Sequence, residues 1–139
     1  VNYEAIRAVK EAVHIPVIGS GDILSPRLAK KMFEETFCDA ILVARGALGN
    51  PWIFKAIEDY LRDGSLPEPR GVPETVRVAK RHLAYMHRHM NCSEKGKLGV
   101  MRKVMLWYMR SFPGSKSMRG QISLVNSYEK MLELADTFK

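Results

Sequence analysis

A strand–helix–strand pattern in the first third of the chain restricts the fold more than any other feature. Two apolar runs, at residues 15–18 and 39–44, flank a segment that starts with Ser25-Pro26. A continuous apolar run such as 39–44 is typical of a strand buried on both faces of a parallel sheet. Ser25-Pro26 combines a helix cap with a first-turn proline. Because parallel strands need a crossover helix, the pattern predicts one βαβ unit.

Helices are also predicted on both sides of this unit. Asn2 is a suitable cap for a helix at the start of the chain, and Asn50-Pro51 pairs a cap with a first-turn proline ahead of another helix. Between the first strand and its crossover helix, residues 19–22 read Gly-Ser-Gly-Asp. We predict a tight turn there, because glycine and aspartate favour turns.

A second portion of the chain is helical throughout. Residues 63–73 contain too many glycines and prolines for a helix or a central strand, and beyond them the apolar residues step by three and four. A third helix, after Ser115, is predicted to split near residues 123–126. We therefore predict an α/β portion over residues 1–63, a linker over 64–73 and an all-α helical domain over 74–139.

Charge is divided unevenly between these portions. Residues 1–65 carry 8 basic and 9 acidic side chains, whereas residues 66–139 carry 14 basic and 6 acidic ones. Between Arg77 and Arg119 there are 11 basic residues and one acid, Glu94. Such an excess on one part of a chain favours a polyanionic partner such as nucleic acid.

Composition argues against several other classes of protein. Cys38 and Cys92 lack CxxC spacing, so neither a disulfide scaffold nor a zinc knuckle is indicated, and three histidines near Cys92 match no metal-ligand pattern. No apolar run approaches the length of a membrane span, and no basic-then-apolar leader opens the chain. We expect a cytoplasmic protein with no membrane partner. The first residue, Val1, suggests a fragment or a truncated frame.

The two turns that follow the predicted strands are candidates for binding phosphate. Residues 18–23 read Ile-Gly-Ser-Gly-Asp-Ile, and residues 43–51 read Val-Ala-Arg-Gly-Ala-Leu-Gly-Asn-Pro. Both follow strands of one parallel sheet, so they should open on the same edge, where α/β proteins bind ligands. Glycines let backbone N–H groups approach an anion, and Arg45 can pair with it. The alternative for Arg45 is a surface salt bridge with Asp22.

A basic stripe is predicted on the second helix of the helical portion. Lys95, Arg102, Lys103 and Arg110 fall within about 100° of one another at helical pitch, away from the apolar face. Contacts from such a stripe to phosphates supply affinity without sequence information. The alternative is an ordinary solvated face. We assign the neighbouring Trp107 to packing.

Together these motifs resemble the tRNA-dihydrouridine synthases. Residues 16–23 and 39–54 are similar to the end of the FMN-binding barrel of that family. Residues 101–108, with 112–114 and Arg119, are similar to its helical tRNA-binding domain, closest to the bacterial DusB-like branch. The resemblance covers nearly the whole chain. It implies an α/β remnant of a TIM barrel, its last two βα units, followed by an all-α helical domain.

The resemblance also implies roles for individual residues. Those that would hold the FMN phosphate, largely through backbone groups, are Ser20, Gly21, Asp22, Ala44 and Arg45. Those that would contact tRNA are the four stripe residues and Arg119. In the family, flavin hydride and a cysteine proton reduce the C5–C6 bond of a uridine in tRNA, and NADPH or NADH is the reductant of the intact enzyme.

No catalytic residue is assigned within this chain, because the family's proton-donating cysteine lies upstream. Cys38 matches a structural position at a helix-to-strand junction, and Cys92 lies among basic residues. We expect no turnover from the chain alone, since two strands cannot close a barrel. The missing barrel half, or self-association, would cover the exposed sheet edge. Two alternatives stay open: an FMN barrel that acts on a small metabolite, and a stand-alone RNA-binding module.

Overall fold

The computed structural model of the chain describes residues 1–110 and 112–138. The chain divides into two compact units, Val1–Glu68 and Pro69–Lys139. The point of division lies inside the segment rich in glycine and proline. No helix within the described ranges is long and apolar enough to cross a membrane.

The first unit contains a pair of parallel strands joined by a helix. Its elements are α1 (Tyr3–Ala12), β1 (Ile18–Ser20), α2 (Pro26–Thr36), β2 (Ala40–Leu42), a 3-10 turn (Arg45–Ala47) and α3 (Ile53–Asp63). Ile18 lies opposite Ala40 and Ser20 lies opposite Leu42 in a parallel register. The predicted βαβ unit is confirmed.

Two of the three predicted helix caps are confirmed. The Asn2 side chain accepts a hydrogen bond from the Ala5 N–H at 3.0 Å, and Ser25 Oγ accepts one from the Leu28 N–H at 3.3 Å. Each cap satisfies a backbone donor that the helix leaves unpaired at its start. These local signals are therefore sufficient to set the starts of α1 and α2.

The third predicted cap, Asn50-Pro51, is wrong. The helix α3 begins at Ile53, and its capping residue, Trp52, makes no side-chain capping bond. The Asn50 carbonyl accepts from the Ile53 N–H at 3.3 Å, a spacing of three residues. That bond closes a turn over Pro51 and Trp52, so the α-helical pattern starts later than the cap signal predicts.

The first strand extends into the predicted tight turn. Gly19 and Ser20 belong to β1, and only the residues after them leave the ladder. Gly19 is buried, and a Cβ there would lie 2.8 Å from the Cys38 sulfur. Without a side chain at this position, β1 packs closely against the Cys38 and Met32 side chains.

The sheet is covered on one face only by the described residues. Ile18 is 65% exposed and Leu42 is 57% exposed, which contradicts the prediction that the run 39–44 is buried on both faces. A two-stranded sheet with its helices on one side leaves the other face open. The core on the covered side contains Ile23, Ala29, Met32, Cys38, Ile53 and Ile57.

The second unit consists of helices. They are α4 (Val72–His89), α5 (Glu94–Met109), α6 (Ser115–Leu124) and α7 (Tyr128–Asp136). The predicted split of the third helix is confirmed by the break between α6 and α7. Ser127 caps α7 by accepting a hydrogen bond from the Lys130 N–H at 3.2 Å.

Methionine fills much of the core of the helical unit. Leu83 and Ile122 are buried among five buried methionines: Met86, Met101, Met105, Met109 and Met131. Methionine side chains are unbranched and flexible, so they fill the irregular gaps between short helices. The spacing of apolar residues by three and four correctly predicts packing at Leu83, Met86, Met101 and Met105.

Candidate phosphate and RNA contact sites

The first candidate site lies where the two strands end. Ser20 and Leu42 are paired at the last position of β1 and β2. Because the strands are parallel, the turns that follow them leave from the same edge of the sheet. The structure thus brings residues 20–22 and residues 44–45 to one edge.

Glycine lets these two turns touch through their backbones. Gly46 is buried, and a Cβ there would overlap the Ile23 carbonyl oxygen and lie 2.8 Å from Ile53 Cδ1. Asp22 has a φ of 42°, in the left-handed region that few residues other than glycine adopt. The backbone of the second turn at Gly46 is therefore in close contact with the backbone that follows the first turn at Ile23.

The charged side chains at this edge pair with each other. An Arg45 guanidinium nitrogen donates to Asp22 Oδ1, and the two side chains are 72% and 47% exposed. The salt bridge that the sequence allows as an alternative is therefore present. An exposed pair of this kind contributes little to stability, so a phosphate can compete for Arg45.

The residues at this edge fit a phosphate group. Two glycine-containing turns approach each other, the small side chains of Ser20 and Ala44 are exposed, and Arg45 supplies a positive charge on the solvent side. Asp22 opposes an anion at this edge, because its carboxylate is paired with the Arg45 guanidinium.

Neither cysteine belongs to this edge. Cys38 is 5% exposed, between α2 and β2, and its N–H donates to Thr36 Oγ1 at 3.3 Å. Cys92 is exposed in the helical unit, between α4 and α5. Their positions agree with the structural role expected for Cys38 and with the location of Cys92 among basic residues.

The second candidate site is the basic stripe on α5. Lys95 and Lys103 are exposed on this helix, and Arg110 is exposed at its C-cap. Arg102 differs, because it is half-buried and its Nε and Nη2 donate to the Val125 carbonyl oxygen at 2.8 and 2.5 Å. Arg102 therefore ties α5 to the junction between α6 and α7, a contact that the sequence does not reveal.

A cavity of about 380 Å³ opens beside this stripe. Lys95 and Arg102 both line it, whereas Lys103, Arg110 and Arg119 do not. Its other lining residues include His87, Lys97 and Leu98 as well as Tyr128 and Glu129. Sequence reasoning misses this group because α4, α5 and α7 supply the residues from distant parts of the chain.

Aromatic and charged contacts organise the wall of this cavity. The His87 and Tyr128 rings stack with centroids 4.2 Å apart and planes 4° apart. Lys97 Nζ donates to Glu94 at 2.8 Å, and this hydrogen bond lowers the pKa of the Glu94 carboxyl. The one acid in the basic segment is thus paired with a lysine on its own helix.

A further polar contact of the helical unit joins an exposed histidine to a buried tyrosine. His82 Nδ1 lies 3.3 Å from the Tyr108 hydroxyl oxygen. Burial lowers the pKa of His82 and raises the pKa of Tyr108, because desolvation disfavours the charged form of each group. Tyr108 is 5% exposed, as expected for a core residue.

Comparison with known proteins decides the family. The family described as dihydrouridine synthase (Dus) matches residues 1–139. The chain belongs to the dihydrouridine synthase family. The resemblance seen in the strand-end turns and the basic segment is confirmed, and the match includes both candidate sites.

Individual dihydrouridine synthases are similar over most of the chain. It is 40% identical over 121 residues to tRNA-dihydrouridine synthase B of Pseudomonas aeruginosa, a match that covers 87% of this chain and 36% of that protein. It is 33% identical over 136 residues to tRNA-dihydrouridine synthase B of Yersinia pestis, covering 98% of this chain and 42% of that protein. The chain thus spans roughly two fifths of the length of these curated relatives.

Proposed function

We propose that the chain is the carboxyl-terminal part of an FMN-dependent tRNA-dihydrouridine synthase. The whole enzyme would reduce the C5–C6 bond of uridines in tRNA with NADPH or NADH as reductant, in the cytoplasm. One observation carries the proposal: a single chain of this family joins two glycine-containing turns at one sheet edge to a strongly basic helical unit. The α/β unit would be the last two βα units of a TIM barrel.

The role of the α/β unit in this proposal is to hold the phosphate of FMN. Backbone groups of Ser20, Gly21, Asp22 and Ala44 would contact the phosphate oxygens, and Arg45 would leave Asp22 to neutralise the charge. FMN, when bound, supplies the hydride chemistry. The close contact of Gly46 with the Ile23 carbonyl supports a preformed edge.

The role of the helical unit is to bind tRNA through its phosphates. Lys95, Lys103, Arg110 and Arg119 would contribute exposed charges. Arg102 would contribute through its remaining nitrogen, Nη1, while the other two hold the Val125 carbonyl. Such contacts fix the position of an RNA without reading its sequence.

The proton donor of the reaction is assigned to neither cysteine of this chain. Cys38 is buried in the α/β core, and Cys92 lies in the helical unit. The purified chain should therefore show no reduction of uridine in tRNA. A detectable rate would require a proton donor within residues 1–139 and would contradict this part of the proposal.

Titration of the chain with an unmodified tRNA transcript tests the role of the helical unit. We expect binding that weakens steeply with salt. Replacing Lys95, Lys103 and Arg110 together by glutamine should make the negative slope of log K against log[salt] shallower by about 2–3, since each phosphate contact contributes roughly 0.7–0.9.

A matched variant controls for the loss of charge. Lys30, Lys31 and Lys55 are exposed lysines of the α/β unit, and their replacement by glutamine removes the same charge. This control should leave the slope unchanged. If the chain showed no affinity for tRNA at low salt, the alternative of an FMN barrel that acts on a small metabolite would be favoured. Binding of tRNA without any binding of FMN would favour the stand-alone RNA-binding module.

A further inference from the structure

The solvent face of α4 combines arginines with an exposed aromatic ring. Val76, Ala79, Leu83 and Met86 are the buried apolar side of this helix. On the opposite side, five exposed residues fall within about 120° of one another at 100° per residue. We call this set the α4 face: Arg77, Arg81, Tyr85, Arg88 and His89.

We propose that the α4 face is a second tRNA contact surface, on which Tyr85 stacks against an unpaired base and Arg81 and Arg88 hold the neighbouring phosphates. This inference rests on the proposed function. The α4 face would act beside the α5 stripe and would have a different task, which is to select unpaired bases.

Tyr85 is the observation that distinguishes this surface from an ordinary basic face. The side chain is 65% exposed, and its ring contacts the His89 ring of the same helix with centroids 4.3 Å apart and planes 37° apart. Core packing does not account for a large aromatic ring in this position. A ring that remains mostly open to solvent offers a surface on which a base of any identity can stack.

Arg81 and Arg88 lie one helical turn on either side of Tyr85. At separations of four and three residues, their Cβ atoms should be about 5–6 Å from that of Tyr85. Within the described residues, neither guanidinium forms an ion pair with a carboxylate. Glu74, the one acid of α4, lies at its start and pairs with Arg70 and Arg77. Two uncompensated charges therefore flank the ring.

RNA explains this combination better than an acidic protein does. A carboxylate-rich partner would pair with the arginines but would gain nothing specific from the ring. A single-stranded segment of RNA presents phosphates and bases side by side, so it can use both. The spacing along one helix thus fits a phosphate, a base and a second phosphate.

Two substitutions at Tyr85 separate stacking from simple bulk. Both are made in the full chain, and tRNA affinity is measured across a salt series. Tyr85→Leu keeps an apolar side chain but removes the ring, and should weaken binding at least about fivefold, the low end of stacking contributions. Tyr85→Phe keeps the ring and should remain within about twofold of the parent chain. Neither variant should change the salt slope, because neither removes a charge.

The arginines give a different signature in the same assay. Arg81→Gln and Arg88→Gln should each make the negative slope of log K against log[salt] shallower by about 0.7–0.9. A perfectly paired RNA duplex serves as the second ligand, because its bases are not free to stack. Tyr85→Leu should bind that duplex as the parent chain does.

Failure of this inference can be told from failure of the proposed function. Suppose Tyr85→Leu binds tRNA like the parent chain while the variant of Lys95, Lys103 and Arg110 loses affinity. The α4 face is then not a contact surface, and the helical unit still binds tRNA. An equal loss for duplex and tRNA would also overturn the stacking role. If the parent chain binds no tRNA, the proposed function fails first.

Discussion

The α/β unit pairs more of its lysines and arginines with acids than the described part of the helical unit does. In the α/β unit, lysines and arginines pair with acids one turn further along the same helix, as in Arg7–Glu11, Lys30–Glu34, Lys31–Glu35 and Lys55–Asp59. In the described part of the helical unit, Arg81, Arg88, Lys103 and Arg110 have no such acid. In the α/β unit, where backbone groups form the candidate site, most positive charges are paired with a neighbouring acid. In the helical unit, where side chains form the candidate site, several positive charges stay available to a ligand.

The two units also differ in how they are packed. Close contacts at two glycines shape the α/β unit, to the Cys38 and Met32 side chains at Gly19 and to the Ile23 carbonyl at Gly46, whereas buried methionines shape the helical unit. The backbone contact at Gly46 leaves no room for an added atom. The methionine packing adapts to changes of shape but not to a loss of volume. Substitutions of the same type should therefore have different effects in the two units.

The largest effect is expected from truncation in the methionine core. Met105 is fully buried on α5, and Met105→Ala should lower the free energy of unfolding by about 2–5 kcal/mol. Met105→Leu conserves volume and should cost less than about 1.5 kcal/mol. Urea denaturation measures both. If Met105→Leu lowered the free energy of unfolding as much as Met105→Ala does, the methionine core would not adapt to a change of side-chain shape.

An added methyl group should have opposite effects in the two units. Gly46→Ala places a Cβ against the Ile23 carbonyl and should destabilise the chain by about 1–3 kcal/mol. Gly99 lies within α5 with open space around it, so Gly99→Ala should stabilise by about 0.5–1 kcal/mol. The same denaturation experiment compares them. A shift of the same sign in both variants would remove the packing difference between the units.

An ion pair of the α/β unit should give a smaller, pH-dependent effect. Asp39 accepts hydrogen bonds from Lys10 Nζ at 2.9 and 2.7 Å and from the Val17 N–H at 2.7 Å. The Lys10 bond contributes most to lowering the pKa of the Asp39 carboxyl below its ordinary 3.8. A lowered pKa stabilises the fold above pH 3.8, and this stabilisation is lost as the pH falls through the folded-state value.

Asp39→Asn should therefore lower the thermal midpoint at pH 7 by an amount that shrinks below about pH 4. Glu34→Gln is the control, because its pair with Lys30 is looser, at 3.6 Å. That variant should change the midpoint little at either pH. A difference for Asp39→Asn that persists undiminished at pH 3 would show that charge is not what Asp39 contributes.

Local signals in the sequence predict much of the fold. The caps at Asn2 and Ser25 are correct because each involves only the residue and the N–H three positions later. The cap at Asn50 is wrong because a turn that closes on Ile53 competes with it. The prediction that the strand at 39–44 is buried on both faces is wrong, as the exposed Leu42 shows, because burial depends on the layers around a strand, which the strand's own residues do not encode.

The candidate sites follow the same rule. The edge at which the two turns meet is predictable, since consecutive parallel strands end on the same side. The overlap that keeps Gly46 a glycine is not, because it depends on where the Ile23 carbonyl comes to lie. The stripe on α5 is predictable from helical spacing, but the bond from Arg102 to Val125 joins segments 23 residues apart. Contacts between distant segments are the part that the sequence conceals.

The central claim is that the two units bind different ligands, and NMR chemical-shift mapping tests it most directly. The chain would be titrated with a tRNA transcript and, separately, with FMN. We predict that tRNA shifts the amide signals of Tyr85, Lys95 and Lys103, and that FMN shifts those of Gly21 and Arg45. Perturbations by tRNA centred on Gly21 and Arg45, or by FMN centred on the helical unit, would contradict the division of roles.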